Sequence, residues 1–255
     1  MERVSNAFAV LELDAVDDRL DDGSSAAPGA AQEKNGSSSA KKNKKANCSG
    51  NGVPLKNDKP DEGSSAMPST EYKMPLVWID LEMTGLNVEV DRILEIACII
   101  TDGNLTKSIE GPDLVIHQSK ECLDRMGEWC QNHHEASGLT KRVLHSTMTE
   151  REAEMQVIEF VEKNVGTYSP LLAGNSVYVD LIFLKKYMPK LASLFSHVLV
   201  DVSSVKALCH RWYPKDHRKA PSKENKHRAM DDIRESIMEL KYYKQSIFKA
   251  SRSRQ

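Results

Sequence analysis

Leu76-Val77-Trp78-Ile79-Asp80-Leu81-Glu82 holds a β-strand, read over Leu76 to Leu81, with two acids two positions apart at its end. Side chains alternate across a strand, so Asp80 and Glu82 point to the same face of a sheet. Two like charges side by side at the end of a buried strand are unfavourable unless something positive compensates them. Adjacent carboxylates are also what a hard divalent cation requires. Taken alone, the pair equally fits acids at a strand end that merely face solvent.

Working outward, Ile93 to Thr101 and Asp113 to His117 read as the next two strands, rich in Val, Ile and Leu and separated by turn residues. Thr149 and Glu152 form a capping-box pattern ahead of Ala153, Val157, Phe160 and Val161, which share one helical face. Leu171 to Ala173 and Val198 to Val200 read as short buried strands, each leading into a helix. Ala229, Ile233, Ile237 and Leu240 stripe a final long helix. The expected class is α/β with a mixed sheet.

The 255 residues suit one sizeable domain or two small ones, and 40% hydrophobic with 28% charged residues are ordinary for a soluble protein with a real interior. The longest apolar runs, such as Ile96 to Ile100, fall far short of the roughly 20 residues that cross a bilayer, so no membrane span is expected. From Asp21 to Thr70 the chain is dominated by Ser, Ala, Gly, Asn, Lys and Pro. Such a stretch buries too little apolar surface to offset its ordering entropy, so residues 1–71 are expected to be a disordered tail ahead of a folded domain, 72–255. The first twenty residues carry Glu12, Asp14, Asp17 and Asp18, which a mitochondrial presequence normally lacks, and the cytoplasm is the expected compartment. The run Lys41-Lys42-Asn43-Lys44-Lys45 fits a nuclear address or a nucleic-acid tether, and equally a solvated cluster.

Of the 35 Lys+Arg and 37 Asp+Glu, 9 and 12 lie at or before Glu71, leaving 26 and 25 for the folded part. A near-neutral domain argues against a long polyanion as partner. Five cysteines without a CxxC pair fit a reducing compartment. Cys122 and Cys130 lie near His133 and His134, but at a spacing that matches no common structural zinc site; ordinary packing positions in a helix and at its edge are the simpler reading.

Two further sites repeat the acidic theme. In Gly174-Asn175-Ser176-Val177-Tyr178-Val179-Asp180, a short strand ends in turn residues and an acid opens an apolar helix; alone, Asp180 fits a helix-start acid favoured by the macrodipole. In His227-Arg228-Ala229-Met230-Asp231-Asp232, a histidine stands five residues before an acid at the start of the last helix, which alone is unremarkable. Together the three sites follow a known order, and the chain resembles the oligoribonucleases of the DEDDh exonuclease family. Asp80 and Glu82 match the first motif, Asp180 the second, and His227 with Asp232 the third, where the family spacing selects Asp232 over Asp231. The strings WIDLEMTGL, GNS before Asp180, FLKKYMP, DVSS and HRAMDDIRES carry the resemblance, which spans about Met74 to Phe248.

The resemblance implies a ribonuclease-H-like fold, a mixed five-stranded sheet flanked by helices. It implies two divalent cations, Mg²⁺ or Mn²⁺, held by Asp80, Glu82, Asp180 and Asp232, with His227 as the general base for an attacking water. The expected activity is 3′-to-5′ hydrolysis of short RNA oligonucleotides, down to dinucleotides, to 5′-mononucleotides by a homodimer. Leu86 and Trp129 match family positions that face the two bases of a dinucleotide; ordinary core packing is the alternative for Trp129. His134 also matches a site position, against the alternative of a surface helix histidine. Ser176 and Ser203 match serines that cap a substrate 5′-phosphate, although serines before helices are commonly simple N-caps.

One departure stands out: His197-Val198 replaces the Tyr-Arg that family members contribute from the partner subunit, removing a bidentate phosphate contact. Between Lys206 and Arg228, eight Lys+Arg against two acids offer substitute phosphate contacts, or a solvated loop. The competing functions are a proofreading-type DNA exonuclease using the same residues, an RNA-binding module without catalysis, and an interaction protein working through its Lys-rich tail.

Overall fold

A computed structural model describes residues 72–222 and 228–248. The expected tail, Cys48 and His227 lie outside them. The strands are β1 (Leu76–Met83), β2 (Ile93–Thr101), β3 (Ser108–Val115), β4 (Leu171–Gly174) and β5 (Leu199–Asp201). Between β3 and β4 come α1 (Lys120–Asp124), α2 (Glu128–Ala136), α3 (Leu139–His145) and α4 (Glu150–Val165). The rest are α5 (Tyr178–Tyr187), α6 (Pro189–Ala192), α7 (Val202–Trp212), α8 (Pro214–His217) and α9 (Ala229–Ser246). The strands form one mixed sheet in the order β3-β2-β1-β4-β5, antiparallel from β3 to β1 and parallel from β1 to β5.

β1 is the central strand, and its alternation divides the core. Val77, Ile79 and Leu81 face a cluster that includes Val157 and Val161 of α4 and Phe183 and Leu184 of α5. Leu76 and Trp78 face the opposite cluster, with Ala97 and Ile99 of β2 and Ala229, Ile233 and Ile237 of α9. Trp78 buries its whole ring because its indole N–H finds a buried partner, Thr101 Oγ1, at 3.0 Å. The period of two then carries Asp80 and Glu82 onto the α9 side of the sheet.

The expected α4 is present with its full capping box: Thr149 accepts from the Glu152 amide, and the Glu152 carboxylate accepts from the Thr149 amide. The third strand differs from expectation, running from Ser108 to Val115 rather than from Asp113 to His117. Gly111-Pro112 looks like a turn in sequence, yet it forms a bulge: Ala97 pairs with Asp113 and Ile99 with Glu110, so two residues stand opposite Cys98. β3 is an edge strand, and bulges and edges are where a sheet accepts a proline that has no N–H to give. Gly111 also admits the Phe160 ring, which a Cβ would meet at 2.3 Å.

Candidate active site

The carboxyl ends of the parallel strands β1, β4 and β5 lie at one edge of the sheet, where open α/β sheets commonly bind ligands. From β1 come Asp80 and Glu82. α9, packed on the same face through Ala229 and Ile233, brings Asp232 in its first turn. Asp80, Glu82 and Asp232 each offer a carboxylate oxygen within 4.8 Å of the others. Asp231, its sequence neighbour, turns outward and pairs with Arg234 at 2.7 Å.

Asp180 stands beside this trio and anchors to it through the backbone. β1 continues past its last pair with β4, Trp78 with Ala173, and Asp180 Oδ1 accepts from the Leu81 amide at 2.9 Å, replacing the acceptor that β4 no longer supplies. The last residue of β4 is a glycine where the chain passes close to β1: a Cβ on Gly174 would lie 3.0 Å from the Ile79 carbonyl oxygen. Asp180 is 6% exposed, and burial pushes its carboxyl up to about 8. Burial also holds the Glu82 carboxyl well above its ordinary range, reinforced by the charges of Asp232, Glu95 and Asp180. Crowded, desolvated carboxylates that resist ionising in one another's company fit a divalent cation, whose charge removes the repulsion.

A fifth acid, which the sequence reading missed, completes the electrostatics. Glu95 pairs with Glu82 across β1 and β2 and is fully buried. It accepts from Arg228 Nε and Nη2 at 3.1 and 2.6 Å, from Arg142 Nη1 at 3.3 Å and from the Ala229 amide at 3.4 Å. A strand-borne carboxylate thus caps the start of α9 and fixes Arg228, the residue after His227. A lone acid inside the apolar run Ile93 to Thr101 is a readable signal of such a pair, because buried charges are rarely left alone.

His134 is not the surface residue of the simpler reading. It is 2% exposed, its Nε2 lies 2.9 Å from the Met83 carbonyl oxygen, and its Nδ1 lies 3.9 Å from Glu82 Oε2. Trp129 is half-buried and stacks on His133 with ring centroids 3.8 Å apart, so packing accounts for only part of its surface. Cys122 in α1 and Cys130 in α2 are buried, and burial pushes the Cys130 thiol up to about 12. Leu86 is half-buried in the loop that follows β1.

Neither serine is an N-cap. Val177 precedes α5, and Asp201 caps α7 by accepting from the Ser203 amide at 2.9 Å. Ser203 Oγ instead donates to Asn175 Oδ1 at 2.8 Å, accepts from the Ser176 amide at 2.9 Å and lies 2.9 Å from Ser176 Oγ. Ser176 has a φ of 52°, uncommon for a residue with a Cβ, in a tight turn held by these bonds and by Asp201. Val198, in place of the family arginine, is 47% exposed.

The chain also resembles known proteins in sequence and in fold. A family model described as Exonuclease matches residues 77–240, more than half of the chain. The chain is 73% identical over 189 residues to an oligoribonuclease of Arabidopsis thaliana, covering 74% of this chain and 85% of that one. It is 49% identical over 189 residues to a mitochondrial oligoribonuclease of Homo sapiens, covering 74% and 80%. Among solved structures, an exonuclease I aligns with a TM-score of 0.53 at 17% identity, covering 68% of this chain and 41% of that one, a likeness of fold alone. The sheet order and flanking helices are those of the ribonuclease-H-like fold. With its family match, its high identity to curated relatives and its clustered acids, the chain belongs to the oligoribonucleases of the DEDDh exonuclease family.

Proposed function

We propose that the protein is a 3′-to-5′ exoribonuclease that hydrolyses short oligoribonucleotides, down to dinucleotides, to 5′-mononucleotides. The observation that carries the reading is the meeting of Asp80, Glu82 and Asp232 within 4.8 Å, with Asp180 bonded to the backbone between the first two. These four acids hold the metal in this reading. Divalent cations there, Mg²⁺ or Mn²⁺ and two in number, supply positive charge against the scissile phosphate and the Lewis acidity that makes water a better nucleophile.

The chain's own residues do the rest. His227 takes a proton from the attacking water; an imidazole whose unperturbed pKa is near 6.5 is suited to this at neutral pH. Its support is sequence order, one residue before Arg228 and five before Asp232. Attack breaks the last P–O3′ bond, the shortened chain leaves with its 3′-hydroxyl reprotonated from solvent, and the mononucleotide keeps the phosphate. His134, held by the Met83 carbonyl with its Nδ1 3.9 Å from Glu82 Oε2, backs the substrate site beside the acids in this reading. Leu86 and Trp129 flank the bases, and apolar contact or stacking there tolerates any base. Ser176 and Ser203 offer hydroxyls to the terminal 5′-phosphate and so limit substrate length.

The working unit in this proposal is a homodimer and the compartment the cytoplasm. Among the described residues no helix is long and apolar enough to cross a membrane. The test follows end-labelled RNAs and matched DNAs of two to about twenty nucleotides with the purified chain and Mg²⁺ or Mn²⁺. Efficient, 3′-directed release of mononucleotides from the shortest RNAs is expected. Equal rates at every length would remove the short-substrate assignment, and faster DNA hydrolysis would favour a DNA exonuclease. His227→Ala should slow single turnover by about 10² to 10⁴-fold while leaving Mn²⁺ binding in place; an unchanged rate would remove the base assignment.

A further inference from the structure

The loop from Thr84 to Arg92 joins β1 to β2 and carries Leu86, and one side chain organises it. Asp91 Oδ1 accepts from Thr84 Oγ1 at 2.8 Å, and its Oδ2 accepts from the Asn87 amide at 2.8 Å. The same carboxylate lies against the α-carbon of Gly85, where a Cβ would sit 2.4 Å from Oδ2. Asp91 therefore touches residues 84, 85 and 87, the immediate frame of Leu86.

The loop is closed at its base and clamped from outside. Thr84, itself buried, accepts the Arg92 amide on Oγ1 at 3.0 Å and gives its own amide to the Arg92 carbonyl at 3.0 Å. Tyr187 of α5 donates its single hydroxyl hydrogen between the carbonyls of Val88 and Asp91, at 2.9 and 2.7 Å. The Arg92 guanidinium lies over the Tyr187 ring, 4.8 Å from its centroid, and binds Glu150 at the start of α4 through Nε at 2.9 Å. A nine-residue connection tied to two helices, with an acid bonded around one half-buried leucine, is far more ordered than a strand connection requires.

We infer that Asp91 is a positioning residue that holds Leu86 in the orientation that meets a substrate base, and so sets the enzyme's affinity for short RNA. The inference rests on the proposed contact between Leu86 and a base and deepens it. Rigid placement matters because a contact made by one apolar side chain is lost when the loop wanders, whereas the metal-binding acids sit on β1, α5 and α9 and do not depend on this loop for their backbone.

The test is a double-mutant cycle on the full chain, measuring kcat and KM for a 5′-phosphorylated RNA dinucleotide at saturating Mn²⁺. Leu86→Ala and Asp91→Ala should each raise KM about tenfold, the order of one lost base contact, with kcat within about threefold of wild type. The double variant should be no worse than the poorer single one. Asp91→Asn, which keeps one acceptor oxygen, should recover part of the loss. Gly85→Ala, which drives the carboxylate off its partners without removing it, should reproduce the rise in KM. Hydrogen exchange at the Asn87 amide should quicken in Asp91→Ala and stay unchanged in Leu86→Ala. Multiplying KM effects in the double variant, or a wild-type KM in Asp91→Ala beside a raised one in Leu86→Ala, would overturn the inference while leaving the role of Leu86 intact. A wild-type KM in Leu86→Ala would instead overturn the base-contact reading, and the inference with it.

Discussion

Replacing Asp180 with Asn should kill turnover and yet stabilise the metal-free protein. The Asn side chain keeps an oxygen for the Leu81 amide, so the 2.9 Å bond survives and only the charge is lost. Burial raises the wild-type carboxyl from its ordinary 3.8 to about 8 in the folded state. Below about pH 4 the acid is protonated whether folded or not, and it imposes no penalty. Above that the unfolded chain gives up its proton while the folded chain retains it, so stability falls as pH rises, by about 1.4 kcal/mol per pH unit, until the folded pKa is passed. At pH 7 the accumulated penalty is about 4 kcal/mol. Asn removes it, and for a domain of this size the gain reads as roughly 8 to 16 °C in Tm, an upper bound because the neighbouring acids share the repulsion. The assay is thermal unfolding of both proteins in chelator and in Mn²⁺, from pH 4.5 to 8. Wild type should gain stability on adding metal and lose it with rising pH in chelator; Asp180→Asn should show much less of either. A variant no more stable than wild type in chelator at pH 7, or a wild type indifferent to metal, would refute the reasoning.

Three further outcomes follow from the same geometry. Arg228→Met leaves Glu95 buried without its principal partner and should cost roughly 3 to 5 kcal/mol in urea unfolding; a loss below about 1 kcal/mol would mean that Arg142 alone suffices. Thr149→Ala removes the α4 cap and should cost about 1 kcal/mol by the same measurement, without changing KM. Val198→Arg places a guanidinium at an exposed position where the family supplies a phosphate contact. It should sharpen the preference for a 5′-phosphorylated dinucleotide over a heptanucleotide by about tenfold in kcat/KM, and an unchanged ratio would show that the departure at this position is neutral.

The central strand was legible because both of its neighbours hide it. Four apolar residues followed by alternating acids admit one reading once the strand is buried on both faces, and the face that carries Trp78 necessarily carries Asp80 and Glu82. The helix acids were less legible. Asp231 and Asp232 are indistinguishable by local chemistry, and only the family spacing chose between them; in the structure, about 100° of helical rotation sends one to Arg234 in solvent and the other to the acid cluster. β3 was misplaced because Gly111-Pro112 has the composition of a turn, and composition cannot reveal that the partner strand tolerates a bulge there.

The serines show the same limit from the other side. N-cap preference is a statement about average helices, and at α7 Asp201 takes the cap first, which frees Ser203 to bind Asn175 and Ser176. Glu95 and Asp91 were passed over for opposite reasons. Glu95 sits inside an apolar strand, where a charge demands a partner that the sequence does not name; the partner, Arg228, is 133 residues away. Asp91 sits in a polar turn, where an acid demands nothing, and the role proposed for it rests on where the chain returns to Thr84 and Gly85. A buried charge announces itself by its cost, whereas a surface acid that organises a loop carries no such mark. Structure therefore adds two different things here: for Glu95 the distant partner of a charge already visible in the sequence, and for Asp91 the local contacts that single it out at all.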